Sequence, residues 1–371
     1  MFFSSAQNGS GRGKYRLLLE ASRFADEHEF SCVWTPERHF HEFGGLFPNP
    51  SVISAALAVT TKRLQIRAGS LISPLHDTVR IAEEWSVVDN LSDGRIAISF
   101  GSGWNVSDFI FFPERYSTRQ AVMFEQVKTI KALWSGQCIT RLNSLGKEVT
   151  LSIFPTPLQE ELPIWITSSG NSDTFVRAGE IGANILTHLI GQDIDSLATK
   201  IRLYRESLEK SNPGSIHGKV SLMLHTFLDH DIETVRAKVR TPFREYLRSA
   251  VNLERQAALG GGTISGGHKI GPIDFTTQEM EDLLDITFER YFQTAALMGT
   301  PSSCIDIIWR LREAGVDEIA CLIDFLDDTN AILRSLTYLN ELRETVSSSE
   351  DTSQEINTFL GDLEAETSDF D

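Results

Sequence analysis

LQIRAGSLISPLHDTVRIAEEWSVVDNLSDGRIAISFGSGW, residues Leu64 to Trp104, carries the reading of the fold. A β-rich run at Leu64–Ala68 passes through a Pro-containing joint into a helical pattern at Asp77–Leu91, and Ser92, Asp93 and Gly94 turn the chain into a second β-rich run at Arg95–Phe100. Strand, helix, strand in that order argues for parallel neighbours in one sheet. The alternation continues outward. Further β-rich runs fall at Ser31–Trp34, Pro163–Thr167, Asn184–Thr187, Val220–Phe227 and Glu318–Leu322. Helical patterns fall at Tyr15–His28, Pro50–Thr61, Arg119–Trp134, Ser172–Ile181, Asp193–Lys210, Ile232–Ala250 and Ser302–Ala314. This is an α/β chain one strand short of a TIM-like (β/α)8 barrel with insertions. Met1–Ser5 (MFFSS) supply the end of the missing element, so the first strand is expected to be truncated and the chain to start late or to have been cut from a longer polypeptide. Residues 1–345 are assigned to the barrel and 346–371 to an acidic flexible tail. Two stretches depart from a plain barrel: Gly136 to Leu158, a small β excursion, and Arg255 to Phe275, with six glycines between Gly260 and Gly271.

The 371 residues are 41 % hydrophobic and 23 % charged, ample for a large core. A net charge of −17 makes attraction to phosphate backbones and anionic lipid unfavourable, which excludes nucleic-acid and membrane-surface partners. Val346 to Asp371 holds eight of the acids and no Lys or Arg. Cys32, Cys138, Cys304 and Cys321 lie far apart without ligand spacing, and no stretch resembles a signal peptide or an 18-residue apolar span. A reducing cytoplasm and no metal site are expected.

Barrels of this kind place chemistry where strands end. Glu37, Arg38, His39 and His41 follow the first complete strand and combine imidazoles with a carboxylate, the groups of a proton relay; His39, Glu37 and Arg38 are the catalytic candidates. Glu37, His39 and His41 alternate as strand neighbours would, but no third-element ligand accompanies them for a metal. Ser168, Ser169, Gly170 and Asn171 stand between a strand and a helix, where backbone N–H groups and hydroxyls suit an anion such as phosphate; helix capping alone would also account for them. Trp104, Asn105, His188, His225 and Asp324 are candidates to line a cavity, and His76 is either a site residue or a helix-entry residue. The GSG at 101–103 lacks the second half of a dinucleotide fingerprint, so no NAD(P)H domain is expected.

Four blocks, Val33 to Val52, Leu64 to Trp104, Leu162 to Gly191 and Gly299 to Phe325, resemble the bacterial luciferase-like flavin monooxygenases, in particular a branch associated with polyketide and nonribosomal peptide assembly lines. The resemblance implies FMN taken up in reduced form from a flavin reductase, and oxygenation of an acyl or aminoacyl intermediate on a carrier protein. Hydroxylation, N-oxygenation and Baeyer–Villiger insertion all remain open, as does a homodimer. It implies a bulge with a non-proline cis peptide at Gly69–Ser70 beneath the flavin ring, and FMN phosphate at Ser168, Ser169, Gly170 and Asn171. Ser102, Trp104 and His188 complete the implied cofactor set. Luciferases proper have a second His where Arg38 stands, which disfavours light emission. The family's phosphate-holding Arg is Ser102 here, implying weak, exchangeable flavin, with Arg177 a candidate substitute. The glycine-rich Leu259 to Pro272 falls where the family carries a mobile lid. In the tail, SSSEDTS is expected to be disordered, while Ile356, Phe359, Leu360 and Leu363 form one helical face suited to docking. Two other readings stay open: a deazaflavin-dependent barrel dehydrogenase, and a non-catalytic flavin-binding or scaffold subunit.

Overall fold

A computed structural model describes residues 1–3, 13–42, 44–168, 170–214, 218–259 and 276–368, with the side chains of 250, 252–259 and 349–368 outside that description. In chain order the elements are α1 (Arg16–Glu27), β1 (Cys32–Thr35), α2 (Pro50–Thr60), β2 (Gln65–Ile72), α3 (Thr78–Leu91), β3 (Ile96–Gly101) and α4 (Arg119–Trp134). Then come β4 (Ile139–Leu142), β5 (Glu148–Leu151), β6 (Ile164–Thr167), α5 (Ser172–Glu180), β7 (Asn184–His188), α6 (Ile194–Ser211), β8 (Val220–Leu228) and α7 (Ile232–Leu259). The chain ends with α8 (Thr277–Thr294), β9 (Leu297–Gly299), α9 (Ile305–Glu313), β10 (Glu318–Leu322) and α10 (Thr329–Ser368).

β1, β2, β3, β6, β7, β8 and β10 pair in that order, every pair parallel. Helices cover the outside, so strands such as Cys32–Thr35 and Ile96–Gly101 are buried on both faces and read as continuous apolar runs. The circle closes through Phe2, which bridges Trp34 of β1 and Leu322 of β10. Its N–H donates to the Cys321 carbonyl at 2.7 Å, and Ile323 N–H donates to the Phe2 carbonyl at 3.3 Å. Met1–Phe3 thus occupy the first-strand place; Ser4 and Ser5 lie outside the described residues. The expected β excursion is the antiparallel β4–β5 hairpin.

α7 runs on to Leu259 rather than ending at Ala250, and three further elements differ from the sequence reading. β9, only three residues, pairs with the far end of β8 at Thr226–Leu228 and is too short for a periodic signal. α8 was not anticipated, although Thr276 and Glu279 form the reciprocal capping box that marks its start. α10 runs through Ser347–Ser353, where disorder was expected. The helix is already nucleated upstream, where Leu336, Leu339 and Leu342 are buried, and poor formers then cost only tenths of a kcal/mol each, about 0.7 at most.

Near the strand starts, the barrel interior holds an ion pair. Arg67 on β2 donates to Glu318 on β10 through Nη1 at 2.6 Å and Nη2 at 3.2 Å, and its Nε donates to Gln65 Oε1. The guanidinium lies over the rings of Trp34 and Trp165, at 4.8 and 4.2 Å. Ser221 Oγ donates to the same Glu318 carboxylate at 2.7 Å, and Trp165 Nε1 donates to Ser221. Burial pushes the Glu318 carboxyl up, but the hydrogen bonds and charge of Arg67 outweigh it and hold it at about 2.

Glu318→Gln leaves the Arg67 charge buried without its counter-ion and should lower the free energy of unfolding by about 3–5 kcal/mol. Because the folded carboxyl titrates below its unfolded value, its contribution is complete above pH ~4.5 and disappears as pH falls from there towards 2. Urea unfolding at a series of pH values checks both: the wild type should lose its advantage over the variant across that interval, and a gap independent of pH would contradict the assignment.

Candidate active site

Where the strands end, polar side chains form an arc around the mouth. It begins at Glu37, two residues beyond β1. The buried carboxylate accepts from His39 Nε2 at 2.9 Å and His76 Nε2 at 2.5 Å on Oε1, and from Ile72 N–H at 2.6 Å on Oε2. An ionised carboxylate only accepts, so both imidazoles carry their proton on Nε2. Burial pushes Glu37 up, yet the His39 and His76 hydrogen bonds hold it below its usual range; burial pulls His76 down, but Glu37 raises it above an ordinary imidazole. The 3₁₀ turn Ser73–Leu75 delivers His76, whose carbonyl accepts from Arg115 and Gln126. Arg38 is half-buried, and its side chain occupies the space a Cβ at Gly44 would take, where φ is +77°. Asp108, in the 3₁₀ turn Val106–Phe111, is pushed up to about 6 by burial despite the charges of His39 and Arg38. Exposed Phe40, Ile110 and Phe111 form an apolar lip, with the Phe111 ring edge-on to His39 at 5.3 Å.

The arc continues on β2. Gly69–Ser70 is a non-proline cis peptide, and the pairing with β3 slips between Gly69 and Leu71, so the expected bulge is present. A Cβ on Gly69 would come within 2.7 Å of the Trp34 ring, so only glycine fits. Ser70 and Ser99 each share a 2.7 Å hydrogen bond with Thr167 Oγ1, tying β2, β3 and β6 together beneath the mouth. Beyond Thr167 the loop carries Ser168, buried, and Gly170, at φ +123°; Ser169 lies outside the described residues. Asn171 caps α5 by accepting from Asp173 N–H. Facing Gly170 are Lys200 and Gln192: Lys200 Nζ donates to Gln192 Oε1 at 2.7 Å, and Gln192 Nε2 donates to the His188 carbonyl at 2.5 Å.

Of the other sequence candidates, Ser102 and Trp104 are half-buried after β3, Trp104 packing on the core, and neither hydrogen-bonds through its side chain among the described residues. Arg177 stacks on the Phe124 ring at 3.6 Å, engaged away from the phosphate-type loop. Burial pulls His188 down to about 4; its Nδ1 accepts from Ile190 N–H, which places its proton on Nε2. His225 sits among the rings of Phe243, Tyr246 and Phe325 and is pulled to about 3, so it is neutral wall rather than a proton carrier. Asp324 is buried just past β10. No cluster of three or more His, Cys, Asp or Glu among the described residues could hold a metal, and the glycine-rich stretch after Leu259 lies outside them. Sequence reasoning missed Asp108, Ser99, Thr167, Gln192 and Lys200. Asp108 carried a local signal, three residues after the capping Asn105; the others become neighbours only once the sheet has curled.

The sequence pattern described as luciferase-like monooxygenase matches residues 1–318. The chain is 26 % identical over 329 residues to an alkanal monooxygenase alpha chain of Photorhabdus luminescens, covering 86 % of this chain and 88 % of that one. It is 24 % identical over 320 residues to the oxygenase component of a flavin-dependent trigonelline monooxygenase of Acinetobacter baylyi, covering 84 % and 83 %. Among solved structures, a monooxygenase of Streptomyces bottropensis superposes with a TM-score of 0.71 at 19 % identity, over 92 % of this chain and 97 % of that one. The FMN-bound oxygenating constituent of a Pseudomonas putida 3,6-diketocamphane monooxygenase gives 0.69 at 17 %, over 90 % and 94 %. An F420-dependent secondary alcohol dehydrogenase gives 0.65 at 18 %, over 88 % and 94 %; these three likenesses show the fold.

Glu37→Gln removes the charge that raises His76, so the His76 imidazole should titrate at lower pH in the variant than in the wild type. Histidine NMR titration reads this directly. An unshifted His76 would mean that Glu37 is not its electrostatic partner.

Proposed function

The chain belongs to the luciferase-like monooxygenase family, and from that premise we propose that it is the oxygenase half of a two-component system, taking FMN already reduced by a separate flavin reductase and directing oxygen from O₂ onto an acyl or aminoacyl substrate carried on a carrier protein. The observation that carries this reading is the β-bulge at Gly69–Leu71, flanked on one side by the Glu37, His39 and His76 cluster and on the other by Ser168, Gly170 and Asn171. The residues fit FMN: at the bulge the partly exposed residue is Ser70, whose short side chain is held by Thr167 and offers a flat ring little obstruction, and Gly170 leaves a cradle beside a cation. Reduced FMN, when bound, supplies the electrons that activate O₂. His39 and His76 hold protons on Nε2, kept there by the Glu37 carboxylate, in reserve for a step that takes up or releases one. Arg38 and Asp108 set the local charge, and Phe40, Ile110 and Phe111 help exclude water.

The trigonelline enzyme is named as an oxygenase component, which supports a reductase partner here. No described helix is long and apolar enough to cross a membrane; the free thiols of Cys32, Cys138, Cys304 and Cys321 fit a reducing cytoplasm. Val52, Val59, Val87 and Leu91, exposed on α2 and α3, would suit a homodimer contact. The likeness to an F420-dependent dehydrogenase keeps a deazaflavin reading in view, which anaerobic turnover with that coenzyme would establish.

With FMN, a generic reductase and carrier-bound thioesters, oxygenated product should form only in air. His39→Ala should raise hydrogen peroxide released per FMN reduced while leaving FMN affinity within about twofold, since the flavin rather than the histidine carries the electrons; unchanged coupling would make His39 structural. Deleting Ser347 to Asp371 should lower turnover of carrier-bound substrate but not of a small free thioester. Equal losses, or a lower Tm, would make the tail part of the barrel.

A further inference from the structure

Ser102 leaves the mouth without the arginine that the sequence resemblance led us to expect, and Arg177 is engaged with Phe124. The described arc nevertheless contains a cation. Lys200, half-buried on α6, brings Nζ to 3.3 Å from the place a Cβ on Gly170 would occupy, and Gln192 Oε1 lies 3.8 Å from the same place. Gln192 is itself buried and anchored to the His188 carbonyl, so it fixes where the ammonium sits. An ammonium has three donors, and among the described residues Gln192 takes one of them. Although the chain carries a net −17, no described carboxylate is ion-paired with Lys200; Asp193 acts on it only as a nearby charge.

We propose that Lys200, held by Gln192, is the phosphate-binding cation of this chain, so that a phosphate monoester dianion sits against Gly170 and the start of α5 with a lysine from the next helix in place of an arginine from the β3 loop. This rests on the FMN reading above. Gly170 stands in the chain between Ser168, whose hydroxyl donates to the Asn171 carbonyl at 3.4 Å, and the N-terminus of α5, and Lys200 lies against it from α6. Asp173 in the first turn of α5 is an unfavourable charge for an anion there, and the lysine offsets it. Burial holds the Lys200 ammonium below its usual value, a penalty that a phosphate dianion would relieve. A lysine is a point charge without the bidentate fork of arginine, which suits a cofactor that arrives and leaves with each turnover.

The test is a fluorescence titration of the purified chain with FMN and with riboflavin, which lacks the phosphate, for the wild type, Lys200→Ala, Lys200→Met and Lys200→Arg. The wild type should prefer FMN. Lys200→Ala and Lys200→Met should weaken FMN by about tenfold or more and leave riboflavin unchanged, as expected for one charged hydrogen bond, while Lys200→Arg keeps most of the preference. Circular dichroism identifies any variant that fails to fold, and the two neutral variants must agree. If the wild type binds FMN and riboflavin equally, the phosphate reading of the loop falls. If the wild type prefers FMN and the neutral variants keep that preference, or lose both ligands alike, the assignment to Lys200 is overturned while the loop reading survives.

Discussion

Arg67 and Glu318 hold each other inside the barrel, the guanidinium against two tryptophan rings, and they do so across the seam where the sheet closes. At that seam, β1 and β10 are joined through the short segment Met1–Phe3, within which Phe2 bridges both. The ion pair spans the same gap from β2 to β10, with Ser221 and Gln65 satisfying further groups of the pair. A buried pair is rarely a net gain over apolar packing, but once present neither partner can be lost without stranding the other. It fixes the relative height of the first and last strands, and with them the level at which Thr35, Ile72 and Leu322 deliver their loops.

That fixed lower half lets the upper half be polar. Ser70, Ser99 and Thr167 form a hydroxyl layer across three strands, at the level of the Gly69–Ser70 bulge. On one side stand groups whose charges support one another, Glu37 below its usual range and His76 above it. On the other stand neutral groups: His188 and His225 are both pulled far down by burial, and three aromatic rings enclose the latter. The mouth therefore has a proton-bearing wall and a dry wall, a division suited to a reaction in which protons must reach one place and be kept from another.

Much of this was legible in the sequence. The strand–helix alternation of Leu64 to Trp104 is a local pattern, and β2, α3 and β3 follow it within a few residues. The bulge at Gly69 was expected from the family resemblance, since a pair of small residues at a strand end does not by itself imply one. What the sequence could not show are contacts between distant elements: Thr167 lies 97 residues from Ser70, and Glu318 lies 251 from Arg67. Lys200 illustrates the limit. On α6 it is one more charged residue of an amphipathic helix, and only the curl of β6 beside β7 sets it opposite Gly170.

The central claim is that the Gly69–Ser70 bulge is the seat of a flavin ring. A crystal structure of the chain grown anaerobically with reduced FMN tests it most directly. The ring should lie against the Gly69–Ser70 peptide with the phosphate between Gly170 and Lys200. Flavin density elsewhere, for example against His225 and Phe325 with the bulge uncovered, would contradict it.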